Sequence, residues 1–214
     1  AIARGDALFS FNTLAGQSHS QWILPEIQKL LTSASIQLAD LNGLVFGAGP
    51  GSFTGVRIAA GVAQGLAYGA NLPVTGVCTL MAIAQASGAD KVIACLDARM
   101  GEVYHAAYAQ QNGVWQPVCA PGLYKPDAVP AIAGVGWVGA GSGWQTYAET
   151  LSAQYDAQLA QVLPQLLPQA TAMLQLAQPV FASGDALNAG DAMPIYIRNR
   201  VALKTAEREQ GLRL

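Results

Sequence analysis

One order of elements occurs twice along these 214 residues: strands, then a helix, a strand and another helix. That repetition restricts the chain to an α/β architecture built by duplication, because alternating strands and helices bury their apolar sides only as sheets covered by helices. In the first half, residues 1–3 and 7–11 flank the turn signal Arg4-Gly5-Asp6 and predict a hairpin. Ile23, Leu24, Ile27, Leu30, Leu31 and Ala34 recur at helical spacing over 19–34, with Pro25 expected in the first turn. A short buried strand at 41–46, a glycine-rich loop at 47–55, a helix from Ser52 or Thr54 to Ala70, a strand at 73–78 and a short helix capped by Thr79 follow.

The second half opens with three strands, VIACLDA, VYHAAYA and VWQPV, turning at 99–102 and 111–113. Helices are expected at 127–133 and 144–151 around a strand at 136–140, then a proline-punctuated helical region at 163–177. The division expected is a first α/β lobe at 1–85, a second at 86–198 and a mixed-charge tail at 199–214. Three opening strands against two leave the first lobe one strand short, with that strand expected upstream of Ala1.

Composition limits what such lobes can do. Hydrophobic residues make up 52% and charged residues only 11%, so real cores can form and low-charge surface is left for interfaces. Lys and Arg number 11 against 13 Asp and Glu, a net charge of -2 that gives no global attraction for a phosphate backbone, so RNA, if involved, is held through a partner. Cys78, Cys95 and Cys119 lack C-x-x-C spacing and sit in apolar runs, which predicts buried thiols in a reducing cytoplasm. No apolar run is long enough for a membrane span, and the first residues lack the pattern of a signal peptide.

The sharpest motif is Gly47-Ala48-Gly49-Pro50-Gly51-Ser52-Phe53-Thr54-Gly55-Val56-Arg57 between a strand and a helix. Such a loop can aim backbone N–H groups at an anion, making Gly49, Gly51, Ser52 and Thr54 a candidate anion-binding set. It is neither a Walker A loop nor a full dinucleotide fingerprint, and a tight turn with Ser52 or Thr54 as N-cap is the simpler reading. As a string, GPGSFTGVRIAAGVAQGLA closely resembles the hallmark segment of TsaB (YeaZ) proteins. Asp97-Ala98-Arg99-Met100-Gly101-Glu102-Val103-Tyr104, the helix entry from His19 to Pro25, and Pro194-Ile195-Tyr196-Ile197-Arg198-Asn199 with Val201-Ala202 are similar to further segments of that family. The resemblance implies the two-lobed actin/Hsp70/hexokinase-like (ASKHA) fold and a non-catalytic place beside a TsaD-like catalytic subunit and a TsaE-like ATPase in forming threonylcarbamoyladenosine next to the anticodon of tRNA. The family's first strand, with its Asp-Thr-Ser segment, has no counterpart in these residues.

Catalytic patterns are absent from the sequence. His19 and His105 are far apart, with no H-E-x-x-H and no Cys/His cluster, so neither a zinc site nor any other metal or cofactor is expected. No serine lies in G-x-S-x-G. Asp97 and Glu102 bracket a turn and are a candidate acid/base pair, with stabilisation of the turn or pairing with Arg99 the favoured reading. The rival functions are a metal-dependent peptidase, a nucleotide-binding phosphotransferase of the same superfamily, and a homodimeric module unrelated to RNA.

An interface is expected on two helices. Trp22, Glu26 and Lys29 lie opposite the apolar stripe of the first helix. In the second, Arg57, Gln64 and Tyr68 stand beside a ridge of Gly61, Gly65 and Gly69, each glycine costing about 1 kcal/mol relative to alanine unless another backbone approaches closely. The neighbour is this chain's own first helix or a helix of another subunit. By resemblance to the TsaB family, that face pairs with a second copy of the chain (a homodimer) or with the TsaD-like subunit.

Overall fold

A computed structural model describes residues 1–14 and 16–198. The tail expected at 199–214, with Asn199, Val201 and Ala202, lies outside the described residues. The chain begins with the expected hairpin: β1 (Ile2–Arg4) pairs antiparallel with β2 (Ala7–Phe9). The first helix, α1 (His19–Ser33), buries Leu31 and packs Ile27 and Leu30 against Ile2 of the hairpin. Pro25 sits in its second turn rather than its first, and the helix continues past it.

The strand β3 (Leu44–Gly49) is parallel to β4 (Val74–Cys78), and α2 (Phe53–Ala70) joins them. Alanine makes this crossover close, since Ala60, Ala63 and Ala67 of α2 are buried against Phe46, Ala48 and Val74. The helix ends at Asn71, whose left-handed φ of 53° closes the last turn. Thr79 opens α3 (Thr79–Ser87) as its first residue, so the N-cap is Cys78 without a side-chain bond, not Thr79.

In the second half β5 (Lys91–Arg99), β6 (Glu102–Gln111) and β7 (Val114–Tyr124) form an antiparallel meander, and β8 (Trp137–Ala140) and β9 (Leu159–Leu163) add in parallel on the other side of β5. The five-stranded order is β7-β6-β5-β8-β9. Residues of β5 alternate between two cores: Val92, Ala94 and Leu96 meet Leu80 and Ile83 of α3, whereas Ile93 and Cys95 meet Trp144, Leu151 and Tyr155. Those last residues belong to α4 (Ser142–Thr146) and α5 (Ala148–Tyr155), two helices where one was expected at 144–151. The chain bends at Tyr147, φ -124° and ψ 39°, outside the helical region.

Two further expectations give way. Residues 127–133 form only a short 3₁₀ turn at Pro126–Ala128, since Pro130 cannot donate to a helical ladder. The expected helix at 163–177 starts later, as α6 (Ala170–Ser183), and β9 precedes it. Met173 and Phe181 of α6 pack with Val45 and Val77 of the first half, and Leu176 reaches the cores of both halves.

Candidate functional site

The glycine-rich loop is a corner rather than an open cradle. Ser52 caps α2 by accepting from the N–H of Gly55 at 3.3 Å, while Thr54 lies inside the first turn and caps nothing. Gly49 has φ 106°, and a Cβ there would lie 3.0 Å from the carbonyl oxygen of Ile195, so only glycine lets the segment 193–198 cross so near. The Ile195 N–H donates to the Ala48 carbonyl at 2.7 Å and ties that segment to the end of β3.

Gly51 and Ser52 of the candidate anion set line a cleft of about 420 Å³ between the loop and the second half. Gly49 and Thr54 are not on its wall. The opposite wall is Asp97, Ala98, Arg99 and Tyr104. Asp97 Oδ1 accepts from the Arg99 N–H at 2.8 Å, and its other oxygen pairs with the Arg99 guanidinium at 3.5 Å, so the turn-stabilising role read for this carboxylate is the one the structure has. Glu102 accepts instead from Arg198 at 2.6 Å, and Arg198 also donates to the Arg99 carbonyl at 3.4 Å. The segment 193–198 thus bridges both halves beside the cleft.

Arg57 turns toward that segment. Its guanidinium carbon lies 3.5 Å from the ring centre of Phe53 and 5.4 Å from that of Tyr196, and Nε donates to the Tyr196 hydroxyl at 2.9 Å. Gln64 donates to the Ala192 carbonyl at 2.7 Å. Both polar members of the α2 face are therefore engaged within the chain. Tyr196 and Arg198 escape sequence reasoning as site residues because their partners Arg57 and Glu102 are 139 and 96 residues away.

The remaining face is open. A Cβ added to Gly61, Gly65 or Gly69 meets nothing within 4 Å, so among the described residues the chain's own first helix does not cover the ridge. Tyr68 beside it is 85% exposed. On α1, Trp22 is half exposed, and Lys29 pairs with Glu26 one turn earlier. Trp22 and Glu26 border a separate groove with Leu66 of α2.

His105 is fully buried on β6 and belongs to a polar thread inside the second half. The Tyr155 hydroxyl donates to the Pro130 carbonyl at 2.6 Å and lies 2.8 Å from His105 Nε2, so the histidine donates there and Nδ1 faces the Cys119 thiol at 3.9 Å. Burial pushes His105 down to about 4, and it pushes the Cys95 and Tyr155 protons toward higher pKa. Among the described residues no three His, Cys, Asp or Glu side chains converge as a metal site would require, and no helix is long and apolar enough to cross a membrane.

The family model described as "TsaD: tRNA N6-adenosine threonylcarbamoyltransferase" matches residues 13–201. A protein of Escherichia coli (strain K12) named tRNA threonylcarbamoyladenosine biosynthesis protein TsaB is 43% identical over 204 residues, covering 89% of this chain and 85% of that protein. This chain belongs to the TsaB family. A family member of the same name from Haemophilus influenzae is 36% identical, with 90% and 85% covered. Two solved structures from Pseudomonas aeruginosa, YeaZ and a protein described as similar to peptidase YeaZ, are each 38% identical with TM-scores of 0.77 and 0.78. They cover 83% and 84% of this chain and 84% of their own. The family fold is the actin-like one, as the resemblance to the family implies.

Proposed function

We propose that this chain is a non-catalytic subunit of a cytoplasmic assembly that forms threonylcarbamoyladenosine beside the anticodon of tRNA. It presents α1 and α2 to a TsaD-like catalytic subunit, works with a TsaE-like ATPase, and meets tRNA only through the complex. A second copy of the chain uses the same face, so self-pairing and the catalytic partner exclude one another.

The observation that carries this reading is the uncovered glycine ridge of α2, open at Gly61 and Gly65 and flanked by the exposed Tyr68. The three ridge glycines Gly61, Gly65 and Gly69 cost about 1 kcal/mol each relative to alanine, a cost that close approach of a foreign helix offsets. The names of the relatives support the pathway, and the sequence supplies no nucleophile, base and metal in mutual register.

The decisive variant is Gly65→Leu. The side chain enters open space in the isolated chain, so the fold is kept and the helix gains slightly. Against a partner helix the added volume costs about 1–3 kcal/mol, which weakens association roughly 5- to 150-fold. Sedimentation with a purified TsaD-like subunit, together with a tRNA modification assay run with and without each partner, reads both. Unchanged association by a folded Gly65→Leu, or modification of tRNA by this chain alone, would overturn the proposal.

A further inference from the structure

The stripe that α2 turns to solvent carries a single charge. Thr54, Arg57, Gly61, Gly65 and Tyr68 are exposed along it at steps of three and four, and no Asp or Glu occurs anywhere in the helix. Arg57 therefore has no acid on its own helix, and among the described residues no carboxylate from elsewhere pairs with it. What the chain gives this side chain instead is a fixed posture. Its guanidinium lies 3.5 Å from the ring centre of Phe53 and 5.4 Å from that of Tyr196, and Nε donates to the Tyr196 hydroxyl. The two Nη groups make no hydrogen bond among the described residues.

A guanidinium with its plane set by a ring and its Nε held has lost much of its rotamer freedom before any ligand arrives, and its Nη fork matches a carboxylate with two parallel bonds. The surroundings decide which acid fits. Phe53 and Tyr196 are half exposed beside it, and Lys29, the other Lys or Arg on α1 and α2, is already paired with Glu26. A run of nucleic-acid phosphates requires several unpaired cations, whereas one carboxylate among apolar contacts requires one.

We infer that Arg57 determines specificity on the α1 and α2 face: its fork takes one Asp or Glu side chain of a foreign protein helix lying along Gly61 and Gly65, and so favours that partner over a second copy of this chain. The inference rests on the reading of α1 and α2 as the face both partners share. On these two helices a second copy offers Glu26 alone, whose side chain is 12% exposed and held by Lys29. Self-pairing over Arg57 thus covers a cation without matching it, a penalty that a helix bearing a free carboxylate avoids.

The test is sedimentation of the full chain, alone and with a purified TsaD-like subunit, at low and high salt, for Arg57→Gln, Arg57→Lys and Gly65→Leu, with thermal unfolding of each variant. Arg57→Gln is expected to weaken the mixed complex about tenfold or more and to flatten its salt dependence, while self-association stays unchanged or tightens. Arg57→Lys keeps the charge, loses the fork and should recover only part of the affinity. Arg57→Glu should be rescued by one acid-to-arginine substitution in the partner's docking helix, a result that a folding defect does not imitate. If Gly65→Leu weakens the mixed complex and Arg57→Gln does not, this inference fails and the docking face stands; if the unsubstituted chain forms no mixed complex, both fail. Equal weakening of the two associations, absence of any rescuing substitution, or tRNA binding that Arg57→Gln abolishes would also overturn it. So would a tighter mixed complex with Arg57→Gln, since the fork would then belong to a carboxylate of this chain.

Discussion

His105 shows how one side chain fixes both a tautomer and a pH range. Tyr155 donates its proton to Pro130, which leaves the histidine neutral with its proton on Nε2. The unfolded chain takes up this proton near pH 6.5 and the folded chain only near 4, so the unfolded state binds more protons between those values and stability falls as the solution is acidified. Between pH 7 and 4.5 the loss is expected to be about 2–3 kcal/mol, read by urea unfolding, and His105→Gln should remove that part of the dependence. Gly141 is a second sensitive point: its φ is 106° and a Cβ would lie 2.4 Å from the Cys95 carbonyl oxygen. Gly141→Ala is expected to destabilise by about 2–5 kcal/mol in the same assay. Sequence reading placed His105 on a strand, but its partners come from distant elements, and no local pattern announces them.

At the scale of elements, the segment 193–198 is held, among the described residues, at Ala48, Arg57, Arg99 and Glu102. Arg57→Ala removes a stacked cation and a hydrogen bond at a partly exposed site, an expected loss of about 1–2 kcal/mol. Limited proteolysis near residue 196 should quicken with it, whereas unchanged cleavage would show that the remaining anchors suffice. Strands and helices with strong periodicity were legible in the sequence: the hairpin, α1, α2 and the meander β5-β6-β7. The failures had physical causes. Residues 127–133 carry apolar spacing but also Pro130, β9 is short and half exposed, and the break at Tyr147 rests on a backbone angle that composition does not encode. In the candidate site the loop and the glycine ridge could be read, while the engagement of Arg57 and Gln64 by 192–196 required the tertiary fold.

For the whole molecule, the near balance of acidic and basic residues carries a prediction about RNA. With a net charge of -2, the isolated chain is expected to bind tRNA no more tightly than about 10⁻⁴ M at 150 mM salt, near the weak end of non-specific binding. A filter-binding measurement checks this, and retention at micromolar concentration would place RNA contacts on this chain. The duplicated order of elements was the most informative global feature, since it gave the α/β class and the sequence of strands and helices in each half. One consequence follows from α6, whose Leu176 belongs to the cores of both halves while Met173 and Phe181 enter only the first. Because neither half completes its interior without that helix, heating should give a single calorimetric peak whose van't Hoff and calorimetric enthalpies agree: two lobes in outline, one cooperative unit in melting.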